Sequence, residues 1–200
     1  MKILLIKPKW FIRSGLYRFL NNIKFTPLHL GIIAALSERE GHEVKVVDAD
    51  WDEIPYNEKF DLIGITVTTF TSQQVYSIAG KFKEKGAKVI FGGVHPSLLP
   101  EECLLLADAV IVGEVEYVWT DILRDMEEGT LKKVYQSNKT VDMDDAPSQK
   151  RELLISHGSL EKEFICPGRI NIHIQRRINK CPAIFTFLCK SSRRPARAKP

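Results

Sequence analysis

The residues best placed to do chemistry in this chain fall in four short stretches, and few of them are charged. "TVTTFTSQQ" (66–74) puts hydroxyls at Thr66, Thr68, Thr69 and Thr71. "KVIFGGVHPSLLPEE" (88–102) sets Gly92, Gly93, His95 and Pro96 directly behind an apolar run. "GEVE" (113–116) adds Gly113, Glu114 and Glu116, and "KPKWF" (7–11) adds Trp10 and Phe11. Glycines ending a strand mean that something approaches the backbone more closely than a Cβ would permit. Threonine hydroxyls and backbone amides grip neutral polar groups, but none is an acid, base or nucleophile without an activating partner. No paired carboxylates and no Cys/His constellation supply that partner, so the pattern points to binding and names no catalytic residue or metal ligand. Beside Pro96, His95 reads as a turn residue or ligand contact. His29 and His42 read as surface, and Glu101 and Glu102 as acids opening a helix near its positive end.

These stretches are positioned by an alternation of elements. "KILLI" (2–6), "EVKVVD" (43–48), "DLIGITV" (61–67), "KVIFG" (88–92) and "DAVIV" (108–112) are rich in Val and Ile, and most are near-continuously apolar, as strands covered on both faces are. Helical segments lie between them. Thr26 and Pro27 have the types of an N-cap and first helical residue, and that helix should stop at Gly41. Thr71 and Gln74 have capping-box spacing for a second helix that ends at Gly86. A shorter helix follows Pro100, a fourth spans "EVEYVWTDILRDMEE" up to Gly129, and "LKKVYQ" offers an edge strand. The alternation predicts a flavodoxin-like (Rossmann-like), doubly wound α/β fold with five parallel strands in the order 2-1-3-4-5. In such sheets ligands bind outside the carboxyl ends of the strands, and all four stretches fall on that edge.

The loops exclude several ligands. The first strand–helix turn holds no G-x-G-x-x-G, and the chain has no G-x-x-x-x-G-K-[ST]. The acidic residues of a phosphoryl-accepting receiver are replaced by Lys7-Pro8-Lys9 and by the threonine run. What remains suits a bulky, mostly uncharged ligand. Together "TPLHLGIIAALSEREGHEVKVVDAD", "DLIGITVTTFT", "KVIFGGVHPSLLPEE" and "DAVIVGEVE" resemble the N-terminal cobalamin-binding domain of cobalamin-dependent radical S-adenosylmethionine enzymes, over roughly residues 1–135. The resemblance implies cobalamin as the cofactor, its corrin ring over the carboxyl edge and its nucleotide tail threading down among the loops. Gly92 and Gly93 would then leave room for the tail, with His95 and Pro96 beside it. The threonines would supply hydroxyls, and Gly113, Glu114 and Glu116 would close the far wall. Trp10 and Phe11 would shield the ring or pack on the domain's own flank. The family often has a second glycine where this chain has Val115. The D-x-H-x-x-G motif that supplies cobalt's lower ligand in the methionine synthase type is absent, as it commonly is in the radical SAM branch.

A second kind of sequence follows. Residues 137–155 are polar and read as a linker, and residues 156–200 read as an irregular basic tail. Residues 151–200 carry 11 Lys and Arg against 3 Asp and Glu, a net of +8, which leaves −4 for residues 1–150 of the overall +4. A radical SAM domain needs C-x-x-x-C-x-x-C to hold a 4Fe-4S cluster for S-adenosylmethionine. Cys166, Cys181 and Cys189 do not have that spacing. The tail is therefore expected to be a truncated or frame-shifted remnant, with a separate radical SAM domain or protein as partner and no turnover by this chain alone. An adjacent reading frame in the encoding DNA should restore the motif; finding none ends this expectation. Two alternatives stay open: an iron-sulfur enzyme built on the tail cysteines, and a regulatory module that takes another small molecule. Four cysteines, no signal peptide and no membrane-spanning run predict a cytoplasmic protein with no membrane partner. Nucleic-acid binding is not expected, because the tail lacks a regular basic face.

Overall fold

A computed structural model describes residues 1–10 and 27–136. Thr26, Phe11, the expected linker and the basic tail with its three cysteines lie outside the described residues. The chain divides into residues 1–159 and 160–200, and every described residue belongs to the first unit.

Six parallel strands form one sheet in the order β2-β1-β3-β4-β5-β6. They are β1 (Lys2–Lys7), β2 (Glu43–Asp48), β3 (Leu62–Thr66), β4 (Lys88–Gly92), β5 (Ala109–Val112) and β6 (Val134–Gln136). The expected five-strand order is present, and the offered edge strand joins it as β6, paired with β5 from Val110↔Val134 to Val112↔Gln136. The order reverses at β1, which pairs with β2 on one side and β3 on the other. The helices are α1 (Leu28–Arg39), α2 (Ser72–Lys83), α3 (Val94–Leu98), α4 (Pro100–Leu104) and α5 (Trp119–Glu127).

Near-continuous apolar strands produce two cores, one on each face. Leu4, Ile6, Ile63, Ile65, Val89 and Phe91 pack against α2 residues such as Val75, Ala79 and Phe82. Ile3, Leu5, Leu62, Ile90 and Ile111 pack against α1 and α5, where Trp119 is fully buried. The Trp119 indole N–H donates to Ser37 Oγ at 2.7 Å, which ties α5 to α1. Gly64 makes room for the Leu5 side chain: a Cβ there would stand 2.8 Å from Leu5 Cδ2, while Trp119, at 3.7 Å, would be in ordinary contact.

Several local expectations shift. Pro27 is the N-cap of α1 rather than its first residue, because its ψ of 72° is not helical. The reciprocal cap before α2 joins Thr68 and Thr71, not Thr71 and Gln74, because a 3-10 turn at Thr69–Thr71 precedes the helix. The fourth predicted helix begins five residues late, at Trp119, since Gly113–Val118 is spent on a turn closed at the Val115 carbonyl. His42 is not on the surface; it is buried, with Nδ1 3.2 Å from the amino group of Met1.

The short β6 is held by a polar contact. The Tyr135 hydroxyl donates to buried Asp125 on α5 at 2.8 Å. That bond, aided by Lys132, lowers the Asp125 pKa below its ordinary value, while burial first and Asp125 second push Tyr135 up to about 12. A depressed carboxylate pKa contributes stability above the unfolded value and loses it as pH falls through the folded one. Tyr135→Phe should therefore destabilise the domain at pH 7. Its melting-temperature deficit should narrow below pH 4, the ordinary Asp range (about 3.9); a deficit constant from pH 7 to 3 would contradict the contact.

Candidate functional site

Gly92 and Gly93 perform different tasks. Gly93 has φ +106°, and a Cβ there would lie 2.9 Å from the Val67 carbonyl oxygen and 3.3 Å from its nitrogen. The Val67 N–H donates to the Gly92 carbonyl at 2.7 Å, and the Val67 carbonyl accepts from the His95 N–H at 3.2 Å. The exits of β3 and β4 are thus stitched together by main chain, and Gly93 is glycine because the protein's own backbone occupies the space. Gly92 has an ordinary φ, and its Cβ would find only Ile111, at 3.8 Å. Steric need inside the fold explains the second glycine and leaves the first available to a ligand.

His95 and Pro96 are not in an open turn. Both are buried in α3, one of two short helices that follow the glycines. His95 Nε2 lies 3.0 Å from the Tyr76 hydroxyl, which itself donates to Glu102 at 2.8 Å, and Nδ1 is buried without a hydrogen-bond partner. Desolvation first and the bond to Glu102 second push the Tyr76 pKa far above its usual value. Ser97, which the sequence did not single out, joins two loops: its hydroxyl donates to the Gly93 carbonyl at 2.8 Å and accepts from the Gly113 N–H at 3.1 Å.

The threonines also divide. Thr71 is buried, and its Oγ1 accepts from the Thr68 N–H at 3.1 Å and lies 3.0 Å from Thr68 Oγ1. That pair is engaged in shaping the loop. Thr69 is exposed, and Thr66, half-buried at the end of β3, meets His29 Nε2 at 2.8 Å. Although solvent reaches the His29 ring, desolvation first and the Lys7 charge second push its pKa down to about 4, so the imidazole is uncharged at pH 7. Lys7 is held between Asp48 (2.8 Å) and Asp50 (2.6 Å), all three side chains largely buried. The Asp-Ala-Asp that ends β2 and the lysine that ends β1 gave no recognisable motif, so the sequence did not reveal this network.

On the far wall, Gly113 and Glu114 are exposed. Glu116 is half-buried with Oε2 unpartnered, and its pKa is raised by burial, with Glu114 adding. Large apolar side chains stand in solvent in the segments leaving the strands: Trp10 after β1, Phe70 (90% exposed) after β3, Val94 and Leu98 after β4, and Tyr117 after β5. Among the described residues no group of three or more His, Cys, Asp or Glu could hold a metal ion, and no helix is long and apolar enough to cross a membrane. A depression among the described residues lies at the opposite edge, lined by Met1, Phe60, Asp61 and Lys85, away from these loops.

Glycine, hydroxyls and exposed aromatic side chains thus occur together in the segments that leave the carboxyl ends of a doubly wound α/β sheet. The B12-binding domain profile matches residues 23–123, half of the chain, and the chain belongs to that family. Two relatives come from Chlorobaculum tepidum. Bacteriochlorophyllide d C-8(2)-methyltransferase is 37% identical over 109 residues, 54% of this chain and 24% of that protein. Bacteriochlorophyllide d C-12(1)-methyltransferase is 33% identical over 113 residues, 56% and 25% respectively. The match thus spans about a quarter of either relative's length. The crystal structure of the N-terminal domain of a hypothetical Thermotoga maritima protein aligns with a TM-score of 0.41 and 21% identity, covering 64% of this chain and all of that one.

The two glycines make separable predictions. Gly93→Ala should cost about 1–3 kcal/mol in denaturant unfolding, because a Cβ at positive φ meets the Val67 carbonyl. Gly92→Ala should leave the unfolding midpoint nearly unchanged. Equal losses would show that Gly93 is not the strained position.

Proposed function

We propose that this chain is the cobalamin-binding module of a cobalamin-dependent radical SAM enzyme of the methyltransferase or cyclase/rearrangement type, without turnover of its own. Family membership supports the cofactor, and the two methyltransferase relatives favour methyl transfer as the reaction of the whole enzyme. The observation that carries the reading is the set of large apolar side chains exposed in the segments that leave the strands, with Phe70 90% exposed. Exposed apolar side chains collected in the segments at one sheet edge support a binding site there. The fit is chemical. A corrin offers apolar faces and amide arms, which these side chains and the hydroxyls and main chain at Thr66, Thr69 and Gly92 can satisfy.

When bound, cobalamin supplies a cobalt centre that accepts and delivers a methyl group. This chain's residues would hold and orient it. Gly92 would admit the nucleotide tail, and Thr66 and Thr69 would bond to it or to the amide arms. Gly113, Glu114 and Glu116 would bound the far side. Gly93, Thr68, Thr71, His95 and Pro96 would keep the loops in shape from beneath. The chemistry at the substrate belongs to a radical SAM domain, in the same polypeptide or a separate one.

Titration of the full chain with hydroxocobalamin should perturb the cobalt chromophore at one equivalent. Phe70→Glu replaces an exposed side chain, so it should leave the melting temperature unchanged. It should weaken binding at least about tenfold, a loss of roughly 1.4 kcal/mol. A chain that ignores cobalamin, or a Phe70→Glu variant with unaltered affinity, would contradict the reading.

A further inference from the structure

The carboxyl edge of the sheet is not stitched evenly. β3 and β4 pair up to the last residue of each, Thr66↔Gly92, and β5 and β6 do the same at Val112↔Gln136. Between β4 and β5 the register holds only Ile90↔Ala109 and Phe91↔Val110. Among the described residues no further pair joins those two strands on the carboxyl side of Val110. At this edge the sheet is therefore two blocks, β2-β1-β3-β4 and β5-β6. The candidate ligand contacts are divided between them. Thr66, Thr69 and Gly92 belong to the first block, and Gly113, Glu114 and Glu116 to the second.

Ser97 crosses the break. Its hydroxyl donates to the Gly93 carbonyl at 2.8 Å and accepts from the N–H of Gly113, the first residue past β5, at 3.1 Å. The first bond alone is an ordinary serine back-bond to the carbonyl four residues earlier. The second reaches the other block, which the β4–β5 ladder no longer holds. One hydroxyl spends its single proton on one block and a lone pair on the other, in an N–H···O–H···O=C chain whose bonds strengthen each other. Ser37 has the same geometry between Ile33 and Trp119, but there it is buried in the core. Ser97 is only half-buried and Gly113 is exposed, so water can replace the Ser97–Gly113 bond at little cost to the fold. Val115 anchors the rest of the turn on the core, which leaves the position of Gly113 and Glu114 to Ser97.

We propose that Ser97 is a positioning residue whose hydroxyl joins the two blocks, so that the Gly113–Glu116 wall stands in place beside the Gly92 exit before the ligand arrives. The inference rests on the cobalamin-binding reading. It gives Ser97 a share in cobalamin affinity through preorganisation, without contact to the ligand.

Ser97→Thr and Ser97→Val test this in the full chain, because their side chains have the same shape and differ in the hydroxyl alone. Without cobalamin, amide exchange at Gly113, followed by NMR, should be about fivefold faster in the Val variant than in wild type, the worth of one ordinary hydrogen bond. Exchange at residues 66–72 should not change. Affinity for hydroxocobalamin should fall by about the same factor of five. The Thr variant should restore both quantities, and the two variants should melt at nearly the same temperature. Gly113 exchange that is indifferent to the hydroxyl would overturn the proposal, and so would faster exchange with unaltered affinity. Equal affinity losses in the Thr and Val variants would also overturn it, by showing that shape at position 97 matters and the bond does not. A wild-type chain that binds no cobalamin would remove the cobalamin reading and the affinity claim together. The exchange at Gly113, measured without ligand, tells that failure from failure of the Ser97 bridge.

Discussion

At φ +106°, with the Val67 carbonyl oxygen where a Cβ would lie nearly in contact, Gly93 lets two strand exits run as one piece of main chain. The Val67 N–H and carbonyl are both satisfied across that junction, by Gly92 and His95. From there α3 follows directly, which buries His95 against Tyr76 and brings Ser97 to the Gly113 turn. Three of the four loops at the carboxyl edge are therefore fixed relative to one another by hydrogen bonds no longer than 3.2 Å. A rigid edge of this kind binds a rigid ligand without first paying to order its own loops.

Much of this architecture was legible in the sequence because the signals were local and repeated. Val- and Ile-rich runs marked the strands, and their continuity showed that both faces are covered. Gly41, Gly86 and Gly129 closed the helices where expected, all at positive φ. Errors came where tertiary context outweighed local chemistry. Thr71 and Gln74 had the right spacing for a cap, but a 3-10 turn moved the cap to Thr68 and Thr71. His-Pro looked like a turn, yet Gly93 can lead straight into a helix with proline in its first turn, and both residues are buried.

The site was half legible for the same reason. Residue type identified the glycines, threonines and Gly113–Glu116 as one edge. Type could not show which were engaged internally: Gly93, Thr68 and Thr71 serve the loops and Thr66 meets His29, while Thr69 is exposed. The His29–Thr66 bond, the Ser97–Gly113 bond and the Lys7–Asp48–Asp50 network escaped notice because their meaning lies in pairings 16 to 43 residues apart. No periodicity or motif encodes such contacts. The Lys7 network is informative for another reason. The one cation that ends a central strand on this face is neutralised by two carboxylates, so the crevice offers no free positive charge from Lys7 to attract a phosphate-rich ligand such as a dinucleotide.

The central claim is that a corrinoid is held on the carboxyl edge of β3, β4 and β5. Hydrogen–deuterium exchange of the full chain, with and without hydroxocobalamin, tests it most directly. The account requires slowed exchange in residues 66–72, 92–98 and 113–118, and unchanged exchange at the amino edge around residues 58–61 and 85–88. Protection at the amino edge, or none at the three loops in protein saturated with cobalamin, would contradict it.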